Sequence, residues 1–239
     1  MRVVLIGRGR LATNLQAALQ QAGHAVTSIN SRTLEGLPQV ADVFIISVSD
    51  KALRDVVVHA TAGREDQLFM HTAGSMPLSI FDGTTRYGGV FYPMQTFSKE
   101  RIVDFSEVPV FLETTDAASL SVARQLAESI TRQVYELSSE SRRYLHLSAV
   151  FACNFVNHCY ALSAEVLARQ GIPFDVMLPL IDETARKVHE LHPVAAQTGP
   201  AVRFDENVIR MQSAMLSGTA KKVYDLLSLS IHETAEKHD

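Results

Sequence analysis

The sequence predicts an α/β chain in two parts: a mostly parallel sheet covered by helices to about residue 140, then an all-helical region. Three observations carry this. Short runs rich in Val, Ile and Phe alternate with helix-periodic segments up to residue 137. A glycine-rich turn joins the first such run to the first such helix, and strand signal disappears beyond Arg142.

In chain order the strand-like runs are Arg2–Ile6, Ala25–Ile29, Val43–Val48, Leu68–His71, Gly89–Tyr92 and Val108–Leu112. Several are too uniformly apolar for a sheet wetted on one face, the pattern of parallel strands covered on both sides. Between them, Leu11–Ala22, Lys51–Ala62 and Ala117–Arg132 carry apolar residues at helical spacing and are long enough to be crossovers. The texture changes at Ser138–Ser141. Tyr144–Arg169, stopped by Gly171 and Pro173, then Phe174–Leu191, Asp205–Leu216 and Thr219–Lys237 read as helices, with His192–Val202 as the one long loop. The expected domains are residues 1–140 and 141–239.

Composition excludes several function classes. Of 239 residues, 22 are Lys or Arg and 26 are Asp or Glu; the formal net charge of −4 offers no electrostatic footprint for nucleic acid or an anionic membrane. No apolar run approaches the roughly 20 residues that span a bilayer. The N-terminus enters the first strand without a basic segment and cleavage site, so no secretory leader is expected. Cys153 and Cys159 lie six positions apart in a helical stretch and point to different faces. They read as buried free thiols of a reducing compartment, and a cytoplasmic protein is the expectation. His189 and His192 lack partners at zinc spacing, so no metal is expected. No Gly-x-Ser-x-Gly elbow supports a hydrolase.

The turn after the first strand carries the most specific chemistry. It reads Gly7-Arg8-Gly9-Arg10-Leu11-Ala12, a G-x-G-x-x-A pattern placed between a strand and a helix. Gly7 permits the tight turn, Gly9 lets a pyrophosphate approach the backbone, and Ala12 lets the helix pack closely on the sheet. The helix start offers unpaired N–H groups and a partial positive charge to the phosphates. A dinucleotide-binding, Rossmann-type fold follows. The end of the second strand separates the cofactors: an NAD site usually places Asp or Glu there, and this chain has Asn30-Ser31-Arg32-Thr33. A guanidinium beside hydroxyls suits the 2′-phosphate of NADP, with Arg8 and Arg10 adding positive field. NADP is favoured, and NAD stays open.

In open α/β sheets ligands lie beyond the carboxyl ends of strands, which brings Val48 and Ser49 to the cofactor crevice, while Asp50 reads as the cap of the next helix. His71-Thr72-Ala73-Gly74-Ser75 and Tyr92-Pro93-Met94-Gln95-Thr96-Phe97 end two further strands at the same edge. His71 is a candidate for acid–base work, and Ser75, Gln95 and Thr96 are candidates for substrate contact. In the loop Thr198-Gly199-Pro200-Ala201-Val202-Arg203, Thr198 and Arg203 could meet a substrate, Arg203 through its guanidinium fork; Arg203 could equally pair with Asp205.

Taken in order, GRGRLA, SVSD, HTAGS, YPMQTF, the helix containing AVFACNFVN, and TGPAVRFD resemble a known family. It comprises Rossmann-like oxidoreductases with a helical C-terminal domain of unknown function, relatives of deazaflavin-dependent NADP reductases and of pyrroline-5-carboxylate reductase. The likeness covers nearly the whole chain, and HTAGS, QTF and TGPAVRFD are its most specific pieces. It implies an NADP-binding N-terminal domain and a helical domain that mediates dimerisation. Two positions depart: Phe204 stands where an Arg-Gly-Asp run is expected, and Gln212 where a histidine is expected. More distant dehydrogenases of the superfamily place a Lys and an Asn one turn apart on the first long interdomain helix. Asn154 matches the Asn; Val150 stands at the Lys.

His146, Val150, Asn154 and His158 recur every four residues on that helix. His146 is the replacement proton donor, since an imidazole titrates near neutral pH. The expected function is an NADP-dependent oxidoreductase reducing a small carbonyl or imine, working as a homodimer on a small-molecule substrate, with no nucleic-acid or membrane partner. The alternative is a catalytically silent dinucleotide sensor or protein-interaction module, favoured by the missing lysine.

Overall fold

The computed structural model describes residues 1–238. Seven strands form one sheet: β1 (Arg2–Ile6), β2 (Ala25–Ile29), β3 (Val43–Ile46), β4 (Leu68–His71), β5 (Tyr87–Pro93), β6 (Val110–Thr114) and β7 (Val134–Glu136). Their order is β2-β1-β3-β4-β5-β6-β7. Every neighbouring pair is parallel except β5 and β6. The exception has a local cause. Between β5 and β6 the chain forms only a short 3-10 turn at Phe105–Glu107, and without a crossover helix it returns antiparallel. β7, three residues at the sheet edge, is too short to show a period of two and was not expected from the sequence. The fold class agrees with the expectation, a mostly parallel α/β sheet followed by helices.

The helices α1 (Arg10–Gln21), α2 (Asp50–Thr61) and α3 (Ala117–Glu128) cover the sheet. Alternation along β1 divides its side chains between two cores. Val3 and Leu5 pack in the cluster that holds Leu15 and Leu19 of α1 and Leu126 of α3. Val4 and Ile6 join Leu53 and Val57 of α2 with Phe81. A strand buried on both faces needs apolar residues at every position, which RVVLI supplies.

The helical part of the chain follows: α4 (Ser139–Ala149), a π-helical segment (Val150–Phe155) and α5 (Val156–Ala168). It begins five residues before the expected Tyr144, because its first turn is polar and carries no apolar spacing. Ser138 marks the start, accepting a hydrogen bond from the Ser141 amide. The chain divides into two compact units between Phe155 and Val156. The texture change at Ser138–Ser141 thus marks the start of α4, and α4 packs within the first unit.

The second unit contains α5, α6 (Leu178–Glu190), α7 (Pro193–Ala196), α8 (Glu206–Ala214) and α9 (Gly218–Glu236). The short α7 lies inside the expected loop His192–Val202. Asp205 caps α8 by accepting from the Val208 amide at 3.3 Å, and this replaces the anticipated ion pair with Arg203, which is exposed. Phe204 adopts φ 49°, the left-handed conformation that glycine takes most easily, and its ring stacks on His232 at 4.0 Å. No helix among the described residues is long and apolar enough to cross a membrane.

Candidate active site

The turn after β1 is shaped by what its glycines exclude. Gly7 has φ 130°, and a Cβ there would lie 2.0 Å from the Ser47 carbonyl oxygen, so both backbone and space demand glycine. Gly9 holds the N-cap of α1 in extended conformation, with no side-chain cap. A Cβ on Gly9 would meet nothing within 4 Å, so the space above the turn is open. The first amides of α1 have no helical carbonyl behind them and face a ligand or solvent. The turn borders a cavity of about 610 Å³, at the point where strand order reverses between β1 and β3.

The walls of this crevice gather most of the sequence-predicted cofactor contacts: Gly7, Arg8, Gly9, Arg10 and Leu11 from the turn, Ser31 and Arg32 after β2, and Val48 and Ser49 after β3. Thr33 lines an adjoining hollow of about 290 Å³ with Arg32. The Arg32 amide donates to Asn30 Oδ1 at 3.0 Å, which fixes the turn that carries it. None of the ion pairs among the described residues uses Arg8, Arg10 or Arg32. Ala12 is different. It is buried in the core and faces no cavity, so its part is close helix–sheet packing. An open turn, bare helix amides and three unpaired guanidinium groups fit a dinucleotide with phosphate at both positions.

His146 of α4 lines the other end of the crevice. Its Nδ1 lies 3.1 Å from the Tyr92 hydroxyl, and the two rings meet edge to face. Burial pushes the Tyr92 phenol above its usual range, against the opposing pull of Arg142. Both rings press on Gly74: a Cβ there would stand 2.7 Å from His146 Nδ1 and 2.9 Å from Tyr92 Cζ. The HTAGS turn therefore needs its glycine to admit this pair. Tyr92, Gln95 and His146 also line a second chamber of about 510 Å³, together with Thr96 and Asn154.

Asn154 reaches that chamber because of the π-helical segment. Eight residues at about 100° each would leave Asn154 roughly 80° away from His146 around an ordinary helix. The wider π turn advances roughly 80° per residue, which removes most of that drift. The helix itself is anchored by Arg142, one turn before His146 and 1% exposed. Its guanidinium donates to Glu113 Oε2 at 2.6 Å and to the Met76 carbonyl at 2.6 Å, and Glu113 in turn accepts from the Ser139 hydroxyl at 2.6 Å. Burial alone would raise the Glu113 carboxyl, but the bonds from Ser139 and Arg142 prevail and hold it below the usual carboxylate range.

His71 does not reach either chamber. It is fully buried, stacks on Phe81, and accepts the Ala73 amide at Nδ1 (3.1 Å), while Nε2 has no partner. Burial, and secondarily the charge of Arg142, depress its imidazole to about 4. Its place is the base of the HTAGS turn, which revises its assignment to acid–base work. Ser75 donates its hydroxyl to Asp50, so Asp50 serves that bond and Ser49 occupies the cap position of α2. Thr198 and Arg203 lie exposed in the second unit. Cys153 is half-buried and Cys159 exposed, contrary to the expectation of two buried thiols. Tyr92 is the functional candidate that sequence reasoning missed. Its signal was present, a phenol at a strand's carboxyl end within the YPMQTF segment, yet only Gln95 and Thr96 were chosen from it.

Residues 108–231 match the family described as a domain of unknown function, DUF2520. A Bacteroides fragilis protein provisionally named an NADP oxidoreductase is 46% identical, with 97% of this chain and 98% of that one covered and a TM-score of 0.92. Two more distant structures share the fold. An imine reductase from Myxococcus stipitatus in complex with NADP+ is 14% identical, covers 99% and 93%, and has a TM-score of 0.64. Pyrroline carboxylate reductase from Plasmodium falciparum with NADP bound is 10% identical, covers 98% and 98%, and has a TM-score of 0.59. No curated protein matches the sequence. On the family match and the near-complete alignment to the Bacteroides structure, the chain belongs to the DUF2520 family of Rossmann-like, oxidoreductase-type proteins with a helical C-terminal region.

Proposed function

We propose that the protein is an NADP-dependent reductase of a small carbonyl or imine compound. One observation carries the reading: the hydrogen-bonded Tyr92–His146 pair stands where the dinucleotide crevice and a second chamber share their walls. The name of the Bacteroides relative and the NADP-bound structures of the same fold point the same way. Reduced nicotinamide, when bound, supplies a hydride to the carbon of a C=O or C=N bond. The chain's own residues handle everything else. The Gly7–Leu11 turn holds the pyrophosphate on backbone amides, and Arg32 meets the 2′-phosphate of NADP. Tyr92, whose proton is held firmly by burial, donates it to the oxygen or nitrogen that receives the electron pair. His146 Nδ1 replaces that proton and orients the phenol.

The test is direct. Calorimetry should give saturable NADPH binding, and NADPH oxidation should be measurable against a panel of ketones and imines. Tyr92→Phe and His146→Gln should each lower kcat about a hundredfold while leaving NADPH affinity within about threefold. A protein that binds neither NADPH nor NADH sinks the proposal.

We also propose that a second copy of the chain covers α4. Tyr144 and Leu147 on that element and Phe151 and Phe155 on the π-helical segment after it fall at helical spacing and are 50–69% exposed, a stripe too apolar to remain in water. Sedimentation equilibrium should find a dimer, and Phe151→Glu should shift it to monomer.

A further inference from the structure

We infer that the substrate is an uncharged molecule about 10 Å long, apolar along its body, with one neutral hydrogen-bonding group at the end away from the reduced bond. This deepens the reductase reading and rests on it. Of the twelve residues that line the second chamber, none is Asp, Glu, Lys or Arg. Met94, Phe97, Leu145, Ala149 and Ala152 make its body apolar. The one basic side chain, His146, stands at the Tyr92 end, so a carboxylate or phosphate carried to the Asn154 end would shed its hydration with no cation beside it. The crevice next door is the opposite case, with Arg8, Arg10 and Arg32 on its walls. Charge is sorted between the two spaces: anions belong on the dinucleotide side, and none beyond Tyr92.

Length follows from the helix. His146 and Asn154 both line the chamber, and eight helical residues separate them by roughly 10 Å along the axis. A substrate whose reacting bond sits at Tyr92 and His146 reaches the Asn154 amide only if it extends about that far. The amide offers a donor and an acceptor, so it matches a hydroxyl or a carbonyl and leaves a formal charge unanswered. A volume of about 510 Å³ admits a two-ring compound.

The experiment uses the full chain saturated with NADP+, which holds the cofactor site without turnover. Three probes of one skeleton are titrated by ligand-observed NMR: 2-tetralone, 6-hydroxy-2-tetralone and 6-carboxy-2-tetralone. The hydroxy compound should bind about fivefold tighter than the parent, and the carboxylate at least about tenfold weaker than the hydroxy compound. Asn154→Leu should erase the hydroxyl advantage. Ala152→Phe, which fills the chamber, should abolish binding of all three while NADP+ affinity, read by calorimetry, stays within about twofold. Carboxylate binding equal to the hydroxy compound, a hydroxyl preference that survives Asn154→Leu, or no binding of any probe with NADP+ in place overturns this inference alone. Failure to bind NADP+ at all overturns the reductase reading and this inference with it.

Discussion

Mild acid should loosen this fold through one residue, His71. The folded imidazole is depressed to about 4 by burial and, secondarily, by Arg142, whereas in the unfolded chain it titrates near 6.5. Between those values the unfolded chain takes up a proton that the folded chain refuses. The stability contributed by a neutral His71 is therefore complete above about pH 6.5, falls as the pH drops, and levels off below about 4. The full interval corresponds to about 3 kcal/mol, of which about 2 kcal/mol is lost between pH 7 and pH 5. Urea unfolding at pH 7, 6 and 5 measures it. The comparison is His71→Asn, whose side-chain oxygen can still accept the Ala73 amide but does not titrate in this range. Wild type should lose about 2 kcal/mol more than the variant over that span. Parallel losses in the two proteins would refute the placement of His71 as a neutral core residue. So would a His71→Asn protein that folds and binds NADPH yet turns over a hundredfold more slowly.

Other perturbations follow from the same geometry. Arg32→Asp should reverse the preference between NADPH and NADH, read as the ratio of calorimetric affinities; an unchanged ratio would remove Arg32 from the cofactor site. Gly74→Ala places a methyl 2.7 Å from His146 Nδ1 and should cost about 1–3 kcal/mol in urea unfolding, with kcat falling more than about tenfold as the Tyr92–His146 bond is pushed apart. Arg142→Met leaves the half-buried Glu113 without its cation and should cost about 2–3 kcal/mol by the same measurement.

The parts of the fold set by periodicity could be read from the chain alone. RVVLI, AVTSI and LFMH are uniform or β-branched enough to mark strands, and GRGRLA fixes the turn, the helix and the ligand class together. What escaped was decided by tertiary partners. Val134–Glu136 is a strand only because β6 lies beside it. The antiparallel entry of β6 depends on a missing crossover, which looks in sequence like any loop. His71 sits at a strand's carboxyl end, where functional residues gather, and only packing against Phe81 reveals it as interior. Asn154 was chosen by resemblance, and no propensity announces the π turn that swings it into line with His146. The partnership of Tyr92 and His146, 54 residues apart, depends on a glycine at position 74.

The guanidinium of Arg142 joins the first turn of α4 to two distant points of the chain, around residues 76 and 113. Both segments must be in place before its Nη groups can exchange water for protein partners. The first turn of α4, and the imidazole one turn further on, therefore cannot settle against the sheet piecemeal. The Tyr92–His146 contact thus rests on a junction that no single segment of the chain can supply.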